Sequence, residues 1–158
     1  MLVVSGTDAD DTSNYVTKSE VIDLVNPSKS CQPWADHPTG TMFAAGAFVD
    51  SKVILCGGYN LGEQLSNDCH LITPETSEAI VSLNVGTSFS AAAEIKGRVL
   101  VAGGWANGEI KRTELITLNQ SLPGPDLPHP FYHHCIIKIN NEDILLAGGS
   151  GSQAPNSG

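Results

Sequence analysis

Val99-Leu100-Val101-Ala102-Gly103-Gly104 decides how this chain is read, because close variants stand at Val53-Ile54-Leu55-Cys56-Gly57-Gly58 and at Ile144-Leu145-Leu146-Ala147-Gly148-Gly149. A shorter form, Leu2-Val3-Val4-Ser5-Gly6, occurs near the first residue. The glycine pairs recur at about 46 and 45 residues, the period of a repeat built from four short strands. Each aliphatic run is too short for a helix and rich in β-branched residues, so it reads as a strand buried on both faces. The glycines that end the runs can take positive φ or let neighbouring backbone pass close by. Gly6, Gly57, Gly58, Gly103, Gly104, Gly148 and Gly149 are therefore the structural glycines of an all-β array.

The repeat extends on both sides of the glycines. Downstream come Glu20-Val21-Ile22-Asp23-Leu24, Asp68-Cys69-His70-Leu71-Ile72 and Glu114-Leu115-Ile116-Thr117-Leu118. Asp68 and Glu114 each lie ten residues beyond a glycine pair, whereas Glu20 lies fourteen beyond Gly6. The extra residues fall in the acidic segment 7–14. Upstream of the last three runs lie further strand candidates at 41–49, 87–95 and 131–139. Small residues dominate the first two, as suits strands crowded toward a propeller axis.

In these features the chain resembles the kelch family of β-propellers. The resemblance rests on the aliphatic-Gly-Gly runs, the small-residue strand before each, and the acidic-aliphatic strand with its turn after, as in Leu71-Ile72-Thr73-Pro74-Glu75-Thr76. A looser likeness to divergent invertebrate kelch-type proteins comes from the Cys before a glycine pair and from Pro123-Gly124-Pro125-Asp126-Leu127-Pro128. Kelch repeats usually carry Tyr in the third strand and Trp in the fourth. Here Ile22, His70 and Ile116 take the first position, and Trp34 alone offers a match to the second. The resemblance implies a partial kelch β-propeller over residues 1–150, with two full four-stranded blades at 37–83 and 84–129. Partial blades at 1–36 and 130–150 flank them, and a polar tail follows at 151–158. Propellers close with about four to eight blades, so the expectation is a fragment of a longer protein. Self-association of partial rings through open blade edges is the alternative.

A formal charge of −9, from 8 basic and 17 acidic residues, makes a nucleic-acid backbone a poor partner. No apolar stretch approaches the roughly 18–20 residues that span a bilayer, so no membrane insertion is expected. Localisation is open. One sequon, Asn119-Gln120-Ser121, slightly favours an extracellular parent over a cytoplasmic one.

None of the four cysteines has a zinc-type spacing. Cys56 ends one strand and Cys69 begins the next, so a hairpin would bring them together, as a disulfide or as two small buried hydrophobes. Adjacent His133 and His134 would point to opposite faces of a strand and could not chelate one ion without a bulge. Asp8-Ala9-Asp10-Asp11 lacks the central Gly and final Glu of an EF-hand and reads as a solvated loop. Neither a nucleophile elbow nor a P-loop is present, and the glycine pairs open no helix. No metal and no cofactor is expected.

The resemblance to kelch proteins implies a non-catalytic, protein-binding module that presents its inter-strand loops. Candidate partner-binding residues are Asp8, Asp10 and Asp11 in the first loop, Tyr59 and Asn60 in the second, and Trp105 and Asn107 in the third. Tyr59 and Trp105 follow glycine pairs and could serve as interface anchors or as packing between blades. The other reading is a fragment of a propeller enzyme such as a galactose-oxidase-like oxidase, although no two-His-two-Tyr set matches here.

Overall fold

The computed structural model describes residues 2–7, 15–26 and 28–152. Among the described residues, four main antiparallel sheets follow one another along the sequence, and a fifth, two-stranded one is inserted within the second. β1 (Leu2–Thr7), β2 (Tyr15–Val21) and β3 (Gln32–Trp34) form the first. β4 (Ala45–Val49) and β5 (Lys52–Cys56) begin the second. A small hairpin, β6 (Tyr59–Asn60) and β7 (Gln64–Leu65), then intervenes before β8 (Asp68–Ile72) and β9 (Ser77–Ser82) complete it. β10 (Ala91–Ile95), β11 (Arg98–Ala102), β12 (Thr113–Ile116) and β13 (Ser121–Pro123) form the third, and β14 (Tyr132–Lys138) with β15 (Ile144–Ser150) the fourth. The acidic residues Asp8, Asp10 and Asp11 lie outside the described residues.

The continuous aliphatic runs have a direct cause in the packing. Along β5, Val53 and Leu55 turn toward the first sheet, where Trp34 packs with them, while Ile54 and Cys56 turn toward the third. Val99, Val101 and Ile116 of the third sheet close that second core together with Leu71 and Leu83. A strand flanked by two neighbouring sheets has no solvent face, so the pattern of alternation disappears. β10 touches both β4 and β14, which brings the first strands of three sheets side by side.

Neighbouring sheets are also tied by polar bonds. The buried Glu114 carboxylate on β12 accepts hydrogen bonds from the Asn84 backbone N–H at 2.9 Å and side-chain amide at 2.8 Å. Ser121 Oγ donates to the same carboxylate at 2.6 Å. Lys138 pairs with Glu94, and Lys96 with Glu142 at 2.7 Å, joining the third sheet to the fourth.

Two strands start later than the sequence pattern suggests. The candidates at 41–49 and 87–95 become extended only from Ala45 and Ala91, because Phe43 and Phe89 stand in the left-handed region at φ 59° and 55°. His133, at φ 56°, does the same within β14. There Tyr132 pairs with Ser150 and His134 with Gly148, and the regular ladder resumes only from His134.

Candidate functional site: an aromatic cleft at one end of the sheets

The glycine pairs build the joints on which the site stands. Both members of all three pairs have positive φ, between 59° at Gly103 and 110° at Gly104. A Cβ on Gly57 would come within 2.3 Å of the Thr87 carbonyl oxygen, and one on Gly103 within 2.5 Å of the Phe131 carbonyl oxygen. Gly58 N–H donates to the Thr87 carbonyl and Gly104 N–H to the Phe131 carbonyl, both at 2.7 Å. The first two pairs thus close one repeat onto the backbone of the next, whereas a Cβ on Gly149 would meet the Tyr132 carbonyl oxygen of its own sheet. Gly6 pairs with Val16 in the first sheet, just past a register shift after Val4.

The residue after each pair is pinned from below. Tyr59 and Met42 exchange backbone hydrogen bonds at 2.9 and 3.1 Å, and Trp105 and Ser88 do so at 2.8 and 3.1 Å. Directly after Met42 and Ser88 stand the left-handed Phe43 and Phe89, and His133 holds the corresponding place after Tyr132. The three are joined by backbone hydrogen bonds, from Phe89 N–H to the Phe43 carbonyl and from His133 N–H to the Phe89 carbonyl, each 3.0 Å. Their rings stack as well. Phe43 and Phe89 have centroids 4.3 Å apart, Phe89 and His133 4.2 Å, both tilted. Tyr59 sets its edge on Phe89 at 6.1 Å.

Bulky residues at positive φ are costly, on the order of 1–3 kcal/mol each, and they concentrate where the backbone is held for a purpose. One of them, Phe43, lines an open cleft of about 580 Å³ together with Met42, Tyr59, Glu63, Gln64, Leu65 and Asn107. Three of those lining residues, Phe43, Glu63 and Asn107, are left-handed. Phe43 leaves half of its surface to solvent, at 50%. Apolar ring faces therefore meet one carboxylate and two amides in a concave surface.

Of the expected partner-binding residues, Tyr59 and Asn107 line this cleft and Asn60 adjoins it in β6. Trp105 does not line it. Its ring stands edge-on to Tyr132 at 5.5 Å, which makes it packing toward the fourth sheet. Phe43 and Phe89 went unmarked as site residues in the sequence, and His133 was weighed only as a metal ligand, although the three recur 46 and 44 positions apart in the repeat frame.

A second cluster lies beneath. His37 and His70 face each other with ring centroids 4.5 Å apart beside Asp68, in a small cavity of about 90 Å³ that Asn60 also lines. Burial, and then the neighbouring His70, push the pKa of His37 down to about 4, with Asp68 acting in the opposite direction. Burial likewise lowers His70, again opposed by Asp68. His134 is buried behind the ladder and lowered by the same cause, against a backbone contact from Ala102 that raises it. Its neighbour His133 is exposed, so the two histidines face apart. Among the described residues no three His, Cys, Asp or Glu side chains are grouped to hold a metal ion. No helix among them is long and apolar enough to cross a membrane. Cys56 and Cys69, paired across β5 and β8, are joined by a disulfide with Cα atoms 4.1 Å apart.

No protein-family model matches the chain, and no curated protein matches it significantly. Solved structures do. One is similar in fold: the structure of YjhT superposes with a TM-score of 0.73 at 14% identity, over 88% of this chain and 47% of YjhT. The chain therefore spans about half the length of that protein. At such low identity the likeness is one of backbone course alone.

Proposed function

We propose that the chain is part of a kelch-type β-propeller and acts as a non-catalytic protein-binding module, docking an extended segment of its partner in the aromatic cleft. The observation that carries this reading is the coincidence of three left-handed, non-glycine residues, Phe43, Glu63 and Asn107, with the half-exposed Phe43 ring and Tyr59 in one concave surface. Sheets whose first strands lie side by side, with loops gathered at one end, form a rigid platform for such a surface. Half-exposed Phe and Tyr rings are frequent anchors of protein interfaces.

Selection of a displayed library of random linear peptides on the immobilised chain tests the reading. Wild-type chain is expected to enrich a family of peptides whose binding is lost in Phe43→Gly. That substitution removes the ring while suiting a φ of 59°. Failure to enrich any peptide, or enrichment untouched by Phe43→Gly and Tyr59→Leu together, overturns it.

A further inference from the structure

The cleft has a charge asymmetry that bears on what enters it. Glu63 is its one ionisable carboxylate, and no Lys or Arg lines it. Glu63 stands exposed at the tip of the β6–β7 hairpin with φ 57°. Among the described residues no cation pairs with it, since the five ion pairs there use Asp23, Asp36, Glu94, Asp126 and Glu142. Its negative charge reaches the first sheet, where it adds to burial in raising the pKa of Tyr15. The chain as a whole carries −9. Phe43 and Tyr59 line the same cleft as this carboxylate, and the π-electrons of such rings attract a cation.

We infer that the cleft selects a basic side chain, arginine or lysine, in the docked segment, with Glu63 as its counter-ion and Phe43 and Tyr59 as its aromatic walls. This rests on the protein-binding reading and names the chemistry of the partner. The geometry suits arginine best. A planar guanidinium can stack on one ring while its N–H groups donate to the Glu63 carboxylate and to the side-chain carbonyls of Gln64 or Asn107. A long aliphatic stem can cover Met42 and Leu65 on the way in. An acidic segment would meet an unpaired carboxylate in a chain of the same sign and is disfavoured.

The peptides selected on the wild-type chain supply the test. Enriched sequences should share an Arg or Lys at one register position. Changing that residue to Gln in a labelled synthetic peptide should weaken binding, read by fluorescence polarisation, by roughly tenfold, as expected for one desolvated cation–π contact with a counter-ion. Glu63→Gln should cost a similar factor and Glu63→Lys more. Both variants should keep the wild-type unfolding midpoint, because Glu63 is exposed. Raising the salt concentration should weaken wild-type binding and leave Glu63→Gln nearly flat. Peptides that bind through Phe43 but lack a basic residue, or that ignore Glu63→Lys, overturn this inference and leave the protein-binding reading standing. Absence of any Phe43-dependent peptide removes both.

Discussion

At the scale of single residues, two left-handed positions make opposite forecasts. Phe43 pays backbone strain to hold a ring that is half in solvent. Replacing it with glycine removes the strain and the ring together, so chemical denaturation should find stability within about 1 kcal/mol of wild type. A loss of more than about 2 kcal/mol would show that the ring is there for packing. Gly104 has no such freedom. A side chain there would begin 2.2 Å from Ser90 Oγ and 2.6 Å from the Ser88 carbonyl oxygen, at φ 110°. Gly104→Val should therefore cost about 3 kcal/mol or more, since neighbouring backbone must move. An unchanged midpoint would deny the glycine its role at the joint. The same contrast explains what the sequence revealed. Glycine advertises a left-handed turn, and the repeated pairs were legible at sight. Phenylalanine avoids positive φ, so Phe43 and Phe89 read as strand residues, and only their recurrence with His133 in the repeat frame marks them.

At the scale of elements, the second sheet carries two independent supports, a covalent one and a titrating one. Cys56 and Cys69 are directly opposed on β5 and β8, and both are buried. Thiol titration of unreduced, denatured protein should find two groups, Cys31 and Cys135, and reduction should bring the count to four. Loss of this bond should lower stability by about 3 kcal/mol, from the loop of roughly 14 residues it closes. Four titrating thiols in protein recovered without reductant would contradict the pairing. The second support is His37, whose backbone N–H also donates to the Thr17 carbonyl at 2.7 Å and so fastens the first sheet to the second. With the folded pKa near 4 against an ordinary 6.5, the unfolded chain binds the proton first. Stability contributed by neutral His37 is thus full above about pH 6.5 and is lost progressively as pH falls toward 4; His70 adds in the same direction. The urea midpoint should drop between pH 7 and pH 5, and His37→Phe should flatten that drop. An identical slope in the variant would place the effect elsewhere. Neither support could be fixed by spacing alone, because both depend on how the backbone is placed in space: the sequence brought Cys56 and Cys69 to one hairpin, but His37 reaches His70 from the connection between β3 and β4.

At the scale of the whole molecule, the fourth sheet presents an uncovered apolar face. Ile137 and Leu145 are directly paired on it with 55% and 49% of their surfaces exposed, beside Cys135. The equivalent face of β5 is covered by the next sheet. Light scattering should therefore show concentration-dependent association, reduced by Ile137→Lys with Leu145→Glu. A monodisperse monomer across the range would mean that this face is tolerated in water. The aromatic ladder sets the symmetry that its own extension can have. Its backbone bonds run one way, the later repeat always donating and the earlier always accepting, from Phe43 through Phe89 to His133. Such a ladder has polarity, like a queue in which each member holds the one ahead. Anything that extends it, another repeat or another copy, must arrive head to tail. Two-fold pairing of like with like cannot use it, so growth along the ladder can end only by closing into a rotationally symmetric ring, and otherwise winds on as a helix.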